Sequence, residues 1–164
     1  MAWVGIMRRH EEIKHSHLLQ ILHALAFFSV WILDSFLLRL STILSDVVPL
    51  IPRVVAAAII ILLGDLLIAN SHKLLFSDSS GELITSGAFA YVRHPMYLGI
   101  LLTYLGFFVA TLSLLSLVPY AMIINLYRRM ADYEEQLLEE RFGRRYREYA
   151  RRVPKWIPRL MRRA

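Results

Sequence analysis

Arg93-His94-Pro95-Met96-Tyr97-Leu98-Gly99 opens one apolar segment, and about 35 residues later Glu134-Glu135 begins the amphipathic stretch that follows the next. An imidazole, two adjacent carboxylates and a proline-initiated helix start are groups that hold ions and move protons. At 100° per residue, Glu134 falls in the middle of the arc carrying Tyr127, Met130, Ala131, Leu137 and Leu138, while Asp132, Glu139 and Glu140 point the other way. A carboxylate in an apolar stripe must find a donor or shift toward its neutral form, whereas acids on the opposite face are simply solvated. Glu135 stands at the stripe's edge, beside Leu138 and Phe142. Proline after His94 suits a first helical turn, where N–H groups lack intrahelical acceptors and the positive dipole end can hold an anion.

Other chemistry is excluded or weakly supported. With no cysteine there is no thiolate nucleophile, disulfide or cysteine-based zinc site. His10, His15 and His17 suggest metal only superficially: His15 and His17 do not share a helical face and no carboxylate or thiolate completes a set, so no metal site is expected. Asp34, Asp65 and Asn125 are polar residues inside apolar stretches. Asp34 is expected to pair with Arg39. Asp65 and Asn125 lie near the end where the histidine and glutamates sit, and Asp65 is a candidate catalytic acid, or else a polar contact between helices.

The elements that must position these groups are helices in a bilayer. The 164 residues are 57% hydrophobic with a mean hydropathy of +0.48, too apolar for an ordinary soluble domain of that size. The spacing predicts spans over His17–Leu38 and Pro49–Asn70, then a polar loop from Ser71 to His94 with Ser77-Asp78-Ser79-Ser80-Gly81 as its turn. Two short apolar pieces follow, Tyr97–Ala110 and Leu112–Tyr127, read as a tight hairpin in which Pro119 kinks the second. The first span lacks the short core and small-residue cleavage site of a signal peptide, and reads as an anchor. Beyond Tyr127 the chain is amphipathic. Phe142-Gly143 marks a helix stop, and Tyr146, Tyr149 and Val153 continue an apolar edge to Pro154.

Of the 19 basic residues 12 lie from Arg128 onward, against 6 of the 13 acids, so the net charge belongs to the tail. A basic tail joined to apolar spans suits anionic lipid headgroups better than nucleic acid. With Arg8, Arg9 and Lys14 before the first span, the positive-inside rule puts both termini and the 71–94 loop on the cytosolic face. The expected fold is all-α and integral to the membrane, with four transmembrane helices, the last two a tight hairpin, and an amphipathic C-terminal helical cap. Residues 1–164 form one domain: a core over 1–127 and a cap over 128–164. Nothing in the pattern sets an oligomeric state.

Taken in order, Leu83-Ile84-Thr85-Ser86-Gly87, Phe89-Ala90-Tyr91-Val92-Arg93-His94-Pro95-Met96-Tyr97-Leu98-Gly99, then Glu134-Glu135, Leu137, Phe142-Gly143, Tyr146, Tyr149, Val153-Pro154 and Pro158 resemble the isoprenylcysteine carboxyl methyltransferase family and its phospholipid methyltransferase relatives. The resemblance covers about half the chain. It implies a lipophilic methyl acceptor and S-adenosylmethionine bound at the cytosolic ends of the hairpin. Cofactor contacts would come from Leu83, Ile84, Phe89, His94, Pro95, Met96, Tyr97 and Glu134, with Glu135 in support. If the acceptor is an amine, Glu135 or Asp65 would serve as base; a carboxylate acceptor needs none. The prenylcysteine branch carries a substrate-facing arginine four residues before the first glutamate; here that residue is Met130, and Arg129 beside it is the remaining candidate for substrate contact. The rival readings are a phospholipid or other small-lipophile methyltransferase of the same superfamily, and a non-catalytic membrane adaptor.

Overall fold

The computed structural model describes residues 16–77 and 81–158, and these are helical with no strand among them. Helix α1 spans Ser16–Ile32 and continues through a wider π-helical turn, Leu33–Leu38. A short α2 (Leu44–Val47) leads into α3 (Leu50–Ser77). An extended segment and a 3-10 turn (Gly87–Ala90) reach α4 (Pro95–Thr111), which a 3-10 turn (Leu114–Ser116) joins to α5 (Leu117–Phe142) and then α6 (Arg144–Arg152).

The tightest joint is between α3 and α4. A Cβ added at Gly99 would lie 2.5 Å from the Gly64 carbonyl oxygen, and one at Gly64 would lie 2.7 Å from that of Gly99. Gly106 repeats the contact against Ala57 and Ile61, so the helices run antiparallel with their backbones touching. Only glycine permits this approach, the usual device for helices that lipid surrounds. On its other sides α4 meets aromatic rings: Phe27 and Phe28 of α1 pack on Tyr104, Phe28 and Trp31 on Phe107. Tyr97 meets Tyr127, and the Tyr120 hydroxyl donates to the Leu101 carbonyl, so α5 returns antiparallel to α4.

The helix α1 with its π-turn (23 residues) and α3 (28 residues) are long and apolar enough to cross a bilayer. Their outward side chains are apolar and exposed, among them Leu25, Ile59, Leu62 and Leu66, which is the inverse of a soluble fold. Helix α4 has 17 residues, or about 25 Å at 1.5 Å per residue. Helix α5 has 26 residues, and its stretch beyond Tyr127 carries Glu134 and Glu135.

Three expectations change. The second span does not stop at Asn70 but runs to Ser77, because Ser71 turns its hydroxyl back to the Leu67 carbonyl and Leu75 is buried, so the polar loop is shorter than its composition suggests. Within that loop's turn signal, Asp78–Ser80 lies outside the described residues, as do Arg8, Arg9, His10, Lys14 and His15. Pro119 falls in the first turn of α5, where its missing N–H forgoes no helical bond, so it begins a helix rather than kinking one. Asp34 does not pair with the Arg39 side chain. It is 2% exposed and accepts from the Ser41 backbone N–H, the Ser41 hydroxyl and the Ser113 hydroxyl, hooking the α1 terminus onto the α4–α5 turn. The Arg39 guanidinium lies near Asp46 instead.

Candidate active site

The end of the bundle away from Asp34 gathers three segments. The first is the stretch entering α4, whose path is set by Gly87 at φ +57° and by the Asn70 side-chain oxygen accepting from the Ala88 N–H. It ends with His94 capping α4 and Pro95 in its first turn. The second is the extension of α5 that bears the glutamates. The third is the cap, α6 with the tail to Pro158, for which Gly143 at φ +52° makes the sharp turn.

His94 is 5% exposed and stands between both carboxylates: Nε2 is 2.9 Å from Glu135 Oε1, and Nδ1 is 3.4 Å from Glu134 Oε2. Its ring is parallel to that of Tyr97, 5.6 Å away between centroids, and Trp156 from the tail lies 5.7 Å from it. Arg93 joins all three segments. Its Nε donates to Glu135 Oε1 at 2.9 Å, its terminal nitrogen donates to the Ala150 and Val153 carbonyls, and its backbone N–H donates to the Pro154 carbonyl. Lys155 closes the cluster, 3.3 Å from Glu135 Oε2 and paired with Asp132.

The predicted residues assemble unevenly. Leu83 packs under Tyr146 and Tyr149, while Ile84 and Phe89 pack with Leu75 against Met96 and Leu138. The Phe89 carbonyl accepts from the Tyr149 hydroxyl. Leu83, Ile84, Phe89, His94, Pro95, Met96, Tyr97, Glu134 and Glu135 thus lie in or around one cluster. Asp65 does not join it: it sits on an exposed face of α3, with no hydrogen bond or ion pair of its side chain among the described residues. Arg129 is likewise exposed on α5 and outside the cluster. Sequence reasoning assigned no role to Arg93, Lys155 or Trp156. A lysine in an arginine-rich tail carries no mark of its partner, whereas Arg93 beside His94 was the signal available.

With a carboxylate at each ring nitrogen, His94 is favoured as imidazolium. Burial by itself would lower its pKa, but hydrogen bonds to Glu134 and Glu135 and their charges outweigh it, leaving it above the usual 6.5. Burial would raise Glu135, yet the His94 hydrogen bond and the charges of Arg93, His94 and Lys155 hold it at about 2. Glu135 is therefore held ionised within the cluster, while Glu134 has the longer contact to His94 and a quarter of its side chain exposed.

These shifts predict a window. The stability due to His94 is complete below pH 6.5 and is lost as pH rises through its raised folded value. That due to Glu135 is complete above 4.5 and is lost as pH falls toward about 2. Hydrogen exchange in α6, corrected for intrinsic rates, should be slowest between those two ordinary values and faster on either side. His94→Gln should abolish the alkaline loss and, because the His94 hydrogen bond and charge help hold Glu135 low, also reduce the acid one; an unchanged alkaline limb would show that His94 does not secure the cap.

One further group stands out. Tyr146 is 3% exposed, and its hydroxyl is buried with no hydrogen-bond partner among the described residues.

Residues 52–145 match the family model described as phospholipid methyltransferase, a stretch from the start of α3 through both glutamates to the first turn of the cap. Among curated proteins, the chain is 36% identical over 78 residues to protein-S-isoprenylcysteine O-methyltransferase B of Arabidopsis thaliana, covering 47% of this chain and 40% of that protein. It is 34% identical over 82 residues to a probable protein-S-isoprenylcysteine O-methyltransferase of Oryza sativa subsp. indica, covering 49% and 43%. The human protein-S-isoprenylcysteine O-methyltransferase is 36% identical over 77 residues, covering 46% and 27%. The chain thus matches less than half the length of each of these relatives. No solved structure gives a significant match.

Proposed function

The chain belongs to the phospholipid methyltransferase family, and on that footing we propose that it is a membrane-embedded methyltransferase using S-adenosylmethionine to methylate a lipophilic acceptor at the cytosolic face. The observation that carries this reading is the His94–Glu134–Glu135 cluster, set where α4 begins and roofed by the cap. In this topology α1, α3, α4 and α5 each cross the bilayer, and the basic cap lies against the inner leaflet.

The donor set suits that cofactor. Glu134 can face a cation or accept from ribose hydroxyls; the positive end of α4 and the His94 imidazolium suit the methionine carboxylate; Leu83, Leu138 and the cap tyrosines form apolar walls for a flat base. When bound, S-adenosylmethionine supplies a methyl group on a sulfonium, open to in-line displacement by a nucleophile. The chain's own task is alignment in a dry pocket. Arg93 and Lys155 keep Glu135 ionised and fixed, Glu135 holds His94, and His94 orients Glu134. Trp156 and Tyr97, both packed near the His94 ring, help keep water from that chain of contacts.

Two acceptor classes remain distinct. The names of the relatives and the strong commitment of Glu135 favour a carboxylate, which is already ionised and needs no base. An amine-bearing phospholipid is the reading that the family's description and Met130 favour; it requires a proton acceptor, for which Glu135 is the candidate within the cluster, Asp65 lying outside it. Membranes containing the protein, incubated with methyl-labelled S-adenosylmethionine, should yield a labelled lipophile: base-labile label marks an ester and base-stable label an amine. Glu134→Ala should reduce labelling by at least about tenfold, on the scale of losing one charge-assisted contact. Absence of cofactor binding by the intact protein would leave the adaptor reading in its place.

A further inference from the structure

We infer that the Tyr146 hydroxyl is a contact for the nucleoside part of the cofactor, a binding residue on the cap supplied only when the ligand is seated. The inference rests on the methyltransferase reading above and extends it to a residue beyond the 52–145 family match.

The observation is an asymmetry between two neighbouring tyrosines of one helix. Tyr146 and Tyr149 are both buried, with ring centroids 6.1 Å apart, in the same apolar cluster with Leu83. Tyr149 hydrogen-bonds the Phe89 carbonyl at 2.7 Å, so its hydroxyl holds the cap to the segment entering α4. The Tyr146 hydroxyl has no partner among the described residues. Buried hydroxyls are nearly always paired, and an orphan calls for a missing partner. Packing alone would be served as well by phenylalanine, without the cost of desolvating an unused hydroxyl.

The surroundings indicate what that partner is. The phenol lies within electrostatic reach of Glu135, Arg93 and Glu134, so it borders the charged cluster, yet its packing neighbours Leu138, Phe142, Ala150 and Val153 are apolar. A charged ligand group placed there would lose its solvation without an opposite charge on that wall. An uncharged edge with acceptor atoms, such as adenine or a ribose hydroxyl, would satisfy the phenol while its flat faces pack against those apolar side chains. The methionine end, carrying both charges, is matched instead by the carboxylates, His94 and the start of α4.

The test uses the full chain in lipid nanodiscs with two probes measured by calorimetry, S-adenosylhomocysteine and methylthioadenosine, which lacks the amino-acid end. Tyr146→Phe removes one oxygen and keeps the ring. It is expected to weaken both probes by about five- to tenfold, while the ligand-free protein melts at the same temperature or higher. Tyr149→Phe should do the reverse, lowering the melting temperature of the ligand-free protein. Tyr146→Phe binding both probes like the unaltered protein would overturn the nucleoside contact and leave the methyltransferase reading standing. A drop in ligand-free melting matching that of Tyr149→Phe would also overturn it, since the hydroxyl would then have an internal partner. Failure of the unaltered protein to bind either probe would overturn both the contact and the reading beneath it.

Discussion

Arg93→Ala should lower methyl transfer by at least about a hundredfold and open the cap, the largest effect expected of any exposed-to-buried polar change in this protein. Among the described residues, the guanidinium is the one group that touches Glu135, the end of α6 and the tail together, through one carboxylate and two carbonyls. Its side chain is 15% exposed and that of Glu135 20%, so removing it leaves a partly buried carboxylate with only His94 and Lys155 as partners and takes a donor from two carbonyl oxygens. Removing one partner of a fully buried pair costs about 3–5 kcal/mol; the residual exposure here places the loss at the lower end of that range or somewhat below. The effect on rate is separate and larger in consequence. Glu135 fixes His94 and His94 fixes Glu134, so a shift of about 1 Å at Arg93 is passed to the carboxylate proposed to meet the cofactor, a displacement able to cost about a hundredfold. Lysine should not restore activity, because a single ammonium cannot span the fork of acceptors that the planar guanidinium reaches. Hydrogen exchange in α6 read beside the labelling assay tests this: Arg93→Ala with normal activity and an unaltered cap would show that the arginine is not the strut.

Gly99→Leu is expected to prevent α3 and α4 from packing at all. A Cβ there meets the Gly64 carbonyl at 2.5 Å and Ile68 Cγ1 at 2.8 Å, and backbone cannot yield as a flexible side chain would. Gly99→Ala already forces the helices apart and should cost about 1–3 kcal/mol, the usual range for overpacking, with leucine costing more. Gly64→Ala should behave similarly because it presses on the same spot from the other side. Since either change alone separates the pair, the double alanine variant should be less destabilised than the sum of the two. Unfolding midpoints in mixed detergent micelles read all of these; strict additivity would show that the two glycines are not one contact. The joint also bears on function. Gly99 lies little more than one helical turn from His94, so an α4 pushed off α3 carries the imidazole away from the α5 glutamates.

Much of this protein is written locally in its sequence. Apolar runs of span length, proline at the start of α4 and glycine after Phe142 determine helices and their ends through forces acting within a few residues. The centring of Glu134 on an apolar arc, together with the His94-Pro95 corner, was enough to nominate the chemical groups. The sequence also holds the family resemblance that the 52–145 match bears out.

What the chain's order could not disclose is which distant groups meet. Arg93 reaches Glu135 and the Ala150 carbonyl, partners 42 and 57 positions away, and no periodicity distinguishes that guanidinium from the solvated ones of the tail. Asp34 looked ready to pair with a nearby arginine, yet the fold brings Ser113 to it from 79 positions away. Asp65 reads as an inward polar residue, but its neighbour Gly64 has the face that touches α4, and one step along a helix turns a side chain by 100°, here to the outside. Helix identity is settled by short-range propensity and burial; the company each charge keeps is settled by the packing of those helices. That packing, fixed by backbone contact at Gly64 and Gly99, is a property of the folded whole.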